Sequence, residues 1–99
     1  MNMQSLMQQA QRMQKEIMSK KAEVEKKIFP GKSELVDVEV NGKKEVVSVN
    51  IKNKENITVE DLEILEDMIS IAINDANEKV DKELDEAMGP YGNSLNGLL

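Results

Sequence analysis

The sequence predicts an α+β fold in which an N-terminal helix and a long C-terminal helix flank an antiparallel hairpin. Three observations carry that prediction. Apolar residues recur three and four apart from residue 3 to residue 24. Two runs, 35–40 and 46–51, alternate apolar with polar on either side of Asn41-Gly42. A broad apolar arc then follows Thr58.

In the first helix the spacing runs Met3, Leu6, Ala10, Met13, Ile17 and Val24, with Lys20 and Lys27 at the next apolar places. That is a coiled-coil-like seam, so Leu6, Met13 and Ile17 are expected to pack in the core or against another subunit. Gln8, Gln9, Gln11, Gln14, Arg12 and Lys15 fill the other faces, and Met7 and Met18 widen the apolar surface. Pro30-Gly31 stops the helix, because proline lacks the amide donor and pushes the preceding residue toward extended geometry. A short strand over about 26–31 fits there, confined by Pro30 to a sheet edge.

In the hairpin, Val36, Val38 and Val40 share one face and Asp37 and Glu39 the other; Val47, Val49 and Ile51 repeat the pattern in the second arm. Asn41-Gly42 between them predicts a type I′ turn, in which both central residues take positive φ. Lys43 and Lys44 then stand at its tip.

Thr58 caps the second helix, and Glu60 and Asp61 sit at the positive end of its dipole. Projected at 100° per residue, Leu62, Ile64, Leu65, Met68, Ile69, Ile71, Ala72, Ile73 and Ala76 span about 200°, twice what one contact needs. One side of that arc is assigned to the hairpin and the other to a second subunit, with Leu65, Met68, Ile69, Ala72 and Ala76 as core or dimer residues. The stripe narrows to Val80, Leu84 and Ala87 or Met88, and Gly89-Pro90 ends it. Residues 91–99 show no period and are expected to form a loose tail to one domain spanning 1–99. A chain this short buries only roughly 60–65% of its unfolded surface, so a homodimer that completes the core is expected.

Composition excludes several function classes. The 99 residues contain no Cys and no His, which removes disulfides, thiolate or imidazole metal sites and the commonest acid–base side chain. No glycine-rich phosphate loop precedes a helix, so neither enzyme nor cofactor chemistry nor a small-molecule substrate is expected. The acids Glu60, Asp61, Glu63, Glu66 and Asp67 are explained by the helix dipole, and no metal site is expected. No apolar run of ~18 residues exists, so no membrane span is expected and the chain reads as soluble and internal. Phe29 and Tyr91 are the only aromatics, which argues against stacking on unpaired bases and leaves the duplex backbone as the nucleic-acid target.

Charge is sorted by position: residues 1–32 carry a net +4 and residues 57–99 a net −9. The candidate phosphate contacts are therefore Arg12, Lys15, Lys20, Lys21, Lys26 and Lys27, with Lys43 and Lys44 at the hairpin tip. Arg12, Lys15 and Lys26 share one face opposite the seam. The ordinary account of the same residues is a solvated helix face, and of Lys43-Lys44 a polar turn. Asp75 is the one carboxylate inside the apolar arc, and it needs a donor such as Lys79 one turn later or a group across a dimer.

Three stretches carry a family resemblance. They are Leu6-Met7-Gln8-Gln9-Ala10-Gln11-Arg12-Met13-Gln14-Lys15, then Leu35-Val36-Asp37-Val38-Glu39-Val40-Asn41-Gly42, then Leu65-Glu66-Asp67-Met68-Ile69 with Ala72 and Asn74-Asp75-Ala76. In this order and spacing over residues 3–88, the chain resembles the YbaB/EbfC family of bacterial nucleoid-associated proteins. The resemblance implies a homodimer whose three-stranded sheet carries two helical arms. It also implies duplex DNA binding without a catalytic step, in the cytoplasm at the nucleoid, with effects on nucleoid organisation and gene expression. Two features depart from the family pattern: Lys32-Ser33-Glu34 replaces a glycine-rich connector, and Lys79 and Lys82 lie among acids where basic residues are frequent. The competing reading, motivated by the net charge of −6 and the Met- and Gln-rich first helix, is an acidic protein–protein adaptor.

Overall fold

A computed structural model describes residues 2–89, in the order α1 (Met3–Glu25), β1 (Ile28–Lys32), β2 (Val36–Asn41), β3 (Val46–Ile51) and α2 (Leu62–Ala87). The expected tail at 91–99 lies outside the described residues. The three strands form one antiparallel sheet in the order β1-β2-β3, with Gly31 opposite Val38 and Val38 opposite Val49. The α+β class and the sequence of elements follow the periodicities.

Alternation decides which face of the sheet is dry. Val36, Val38 and Val40 all point under α2 and are buried, as are Leu65, Ala72, Ala76 and Val80 of that helix. Phe29 of β1 and Val24 at the end of α1 complete the core, and Met68, Ile69 and Ile73 pack at its margin. The other sheet face is polar: Ser48 Oγ donates to Glu39 Oε1 at 2.9 Å and Lys52 pairs with Asp37 at 3.3 Å. Not all of the apolar arc is covered. Ile64 and Ile71 of α2 remain 50% and 51% exposed, and on β3 Val46, Val47 and Val49 are likewise exposed.

The hairpin turn differs from the type I′ expectation. Neither Asn41 nor Gly42 takes positive φ; Lys44 does, at 65°. Asn41 N–H donates to the Glu45 carbonyl at 3.0 Å and Lys44 N–H to the Asn41 carbonyl at 3.0 Å, so the loop is the three-residue Gly42-Lys43-Lys44. Asn41 Oδ1 accepts from the amides of Lys43 and Glu45 and stabilises this longer loop. Gly42 serves space instead of dihedral freedom: it is buried against the end of α1, and its N–H donates to the Glu25 carbonyl at 3.3 Å.

Thr58 does begin the second helical segment, through a 3₁₀ turn at Val59–Asp61 that precedes α2. Its N–H and hydroxyl both donate to Asp61 Oδ2, at 3.0 and 3.1 Å.

α2 is also tied to the outer side of β1. Pro30 has no N–H, its carbonyl accepts from Lys79 Nζ at 2.8 Å, and the Lys32 N–H donates to Asp75 Oδ2 at 3.0 Å. The carboxylate inside the apolar arc thus has its donor. That donor is chiefly a backbone amide 43 residues away, with Lys79 as a second partner at 3.5 Å. The Lys32 amide first, and Lys79 with it, hold the Asp75 carboxyl below its ordinary range. In the window between that lowered value and roughly 3.9 the unfolded chain binds more protons than the folded one, so stability rises with pH there and is lost as pH falls through the folded value. The Asp75→Asn variant is expected to lack this part of the slope, measured as urea midpoints across the acid range. An identical pH profile in the variant would refute the linkage.

Candidate nucleic-acid interface

α1 is made of good helix formers, chiefly Gln, Met, Lys and Ala, and starts at a side-chain cap: Asn2 Oδ1 accepts from the Ser5 N–H at 2.8 Å. Val24 is its only buried residue, so almost the whole helix stands out from the sheet as an arm. Its last turn meets the C-terminal part of α2, where Lys20, Glu23, Val24 and Lys27 face Glu83, Glu86 and Ala87.

The eight candidate cations separate into groups. Lys27 is paired with Glu83 and Lys44 with Asp81, the latter at 2.6 Å, so two of them are neutralised by the acids of α2. The hydrogen bond and charge of Glu83 hold the Lys27 ammonium above its ordinary value. Lys20 is half-buried at the junction, and Arg12, Lys15, Lys21, Lys26 and Lys43 are exposed. Arg12, Lys15 and Lys26 lie on one helix face, whereas Lys21 points away from it and Lys43 belongs to the hairpin tip.

That face holds more than its charges. Gln4, Gln8, Gln11, Arg12, Lys15, Ser19, Ala22 and Lys26 follow one another at helical spacing, all are exposed, and no acid falls among them. The amide and hydroxyl donors were missed when charge alone was followed, although the three-and-four spacing from Gln4 to Lys26 was there to find them. The stripe is about 33 Å long at 1.5 Å per residue. Up to Lys15 the helix carries no acid on any face, and this part lies ahead of the junction with α2. Arg12 stands about 12 Å along the axis from Lys20, beyond a Debye length of ~8–10 Å. Glu16 and Glu23 border the stripe, one turn beyond Arg12 and Ser19, and the stripe itself presents cations and neutral donors suited to phosphate oxygens.

The residues expected to pack are distributed unevenly. Leu65, Ala72 and Ala76 are buried and Met68 and Ile69 are packed at the core margin, whereas Leu6 and Met13 are exposed and Ile17 is half-buried. Among the described residues no three Asp or Glu side chains converge to hold a metal ion, and no helix is long and apolar enough to cross a membrane.

Comparison with known proteins bears on this arm-and-sheet architecture. The model of the YbaB/EbfC DNA-binding family matches residues 1–95. The chain belongs to that family. A nucleoid-associated protein of Enterococcus faecalis (strain ATCC 700802 / V583) is 33% identical over 98 residues, covering 98% of this chain and 94% of that relative. A nucleoid-associated protein of Ligilactobacillus salivarius (strain UCC118) is 40% identical over 42 residues, 42% of this chain and 40% of that relative. Among solved structures, the uncharacterized protein HP0035 from Helicobacter pylori superposes with a TM-score of 0.70 at 24% identity, over 100% of this chain and 99% of that one. At that identity the superposition shows a shared fold, and the family itself rests on the match over residues 1–95.

Proposed function

We propose that this YbaB/EbfC member is a nucleoid-associated protein that binds duplex DNA as a homodimer through backbone contacts, and so affects nucleoid organisation and gene expression. The observation that carries the reading is the acid-free stripe of α1, with Arg12, Lys15 and Lys26 as its cations. Phosphate oxygens take hydrogen bonds from guanidinium, ammonium and amide groups alike, and such contacts hold a duplex without reading its bases. At the junction two acids of α2, Asp81 and Glu83, are engaged with Lys44 and Lys27, which lessens their opposition to a duplex along α1. Self-association is supported by the uncovered Ile64 and Ile71 of α2 and Val46, Val47 and Val49 of β3, which a second copy would remove from water.

The test is duplex affinity over a series of salt concentrations. The expected result is a negative slope of log affinity against log salt, because each neutralised phosphate contributes about −0.9. Changing Arg12, Lys15 and Lys26 together to Ala is expected to flatten the slope by about 2 or more and to leave the urea midpoint unchanged. An unaltered slope would move the contact elsewhere. Absence of binding at low salt would favour the acidic adaptor instead.

A further inference from the structure

The apolar seam of α1 is left without a cover by the fold. Met3, Leu6 and Met13 are 75%, 42% and 39% exposed, yet with Ala10 and Ile17 they keep the three-and-four spacing of a helix that packs knobs into holes. We propose that the α1 arms of two copies pair antiparallel along this seam, joining dimers into larger assemblies. The larger assembly rests on the dimer reading above, but the pairing of arms does not.

Charge selects both the occupant and the direction. Residues 2–11 contain no charged side chain, whereas 12–21 contain Arg12, Lys15, Glu16, Lys20 and Lys21. The antiparallel register that sets Leu6 against Ile17 of the second copy, and Ala10 against Met13, lays residues 2–11 of each arm along 21–12 of the other. Every charged residue of the overlap then lies beside an uncharged stretch. Parallel pairing in register would instead set Lys20, which occupies a seam place, against Lys20 of the second copy, and like charges facing each other across a seam are destabilising. Ala10 near the centre lets the two axes approach closely, and methionine adapts to an irregular gap. The stripe of Arg12, Lys15 and Lys26 lies on the opposite face and remains outward.

The contact is short, about 30 Å of helix, and falls below the size of an independent stable interface. Pairing is therefore weak between single arms and is strengthened when a dimer presents two of them. Such an assembly brings two DNA-binding stripes to opposite sides of one arm pair, a geometry suited to holding two duplexes together.

The chain contains no cysteine, which makes the test direct. Full-length Ala10→Cys and Met13→Cys chains are purified separately, then oxidised alone and as a mixture. Mixed disulfides between the two variants, exceeding the homodisulfides of either, are expected. Predominant homodisulfides would overturn the antiparallel register, and crosslinking no greater than that of Ser19→Cys, on the opposite face, would overturn the pairing.

Sedimentation of the unmodified chain supplies the second measurement. Mass beyond the dimer is expected at high concentration, falling to the dimer in the Leu6→Glu, Met13→Glu double variant with helicity retained. A dimer in both chains overturns the proposal. A fall to monomer in the variant upholds the seam and overturns the separate dimer contact. A seam protected from alkylation without intermolecular crosslinks would assign it to another occupant, such as residues 90–99 of the same chain, and also overturn the proposal.

Discussion

Gly31→Ala is expected to lower the stability of this domain by about 3 kcal/mol or more, at the upper end of overpacking costs. A β-carbon at Gly31 would lie 2.7 Å from the Ala76 Cβ and 2.8 Å from the Ala76 N–H nitrogen, and nearer still to the Ala72 carbonyl oxygen. Ordinary contact needs roughly 3.5–4.0 Å, and backbone cannot swing aside as a side-chain tip can. α2 must therefore withdraw from β1. The withdrawal is felt beyond one residue, because the same helix face carries Leu65, Ala72, Ala76 and Val80 over Val36, Val38 and Val40. It also stretches the links from Asp75 to Lys32 and from Lys79 to Pro30. With a urea slope of about 1–2 kcal/mol per molar, the midpoint should fall by about 1.5 M or more. Gly89→Ala is the control: nothing lies within 4 Å of its added carbon, and its midpoint should not move. A Gly31→Ala midpoint matching that control would show that α2 does not approach β1 so closely.

Gly42→Ala is expected to unseat α1. The added carbon would stand 2.5 Å from the Glu25 Cα and closer to the Val24 carbonyl oxygen, both backbone. The last turn of the arm has few other attachments: buried Val24, the Gly42 amide on the Glu25 carbonyl, and the exposed Lys27–Glu83 pair. Exposed pairs contribute little, so this one cannot hold the arm by itself. We expect a loss of about 1–3 kcal/mol in global stability. Amide exchange is also expected to accelerate in residues 20–27 more than in the sheet. DNA affinity should fall as well, because the phosphate-facing stripe depends on how the arm leaves the sheet. Unchanged exchange at the end of α1 would refute this account of its seating.

The two glycines also show where reading the sequence stops. Helices and strands were legible because their periods, 3.6 and 2, are local, and Pro30 correctly marked an edge strand. Asn41-Gly42 marked the hairpin but misled on the turn, since Asn and Gly both accept the positive φ of a type I′ turn. In the folded chain Lys44 takes the left-handed conformation, while Gly42 makes room for α1. Closeness between distant segments leaves no local trace. The same limit hid the partner of Lys44 and the identity of the partner of Lys27: the seam position of Lys27 pointed to an acid on a packed helix, but Glu83 is 56 residues away and nothing local singles it out. Of the candidate interface, the face shared by Arg12, Lys15 and Lys26 was legible by projection. The glutamines beside them were equally legible but carry no charge to draw attention.

The fastening of β1 to α2 has a bearing on how far copies of this chain can grow together. A sheet with two bare edges is a bifunctional monomer and can add strands without end, as in cross-β fibres. Here Pro30 lacks its donor, and Lys79 and Asp75 occupy the Pro30 carbonyl and the Lys32 amide, so β1 is a chain terminator. Strand addition is left to β3 alone. Two copies that met there would consume the reactive edge of each other, and propagation would end at two.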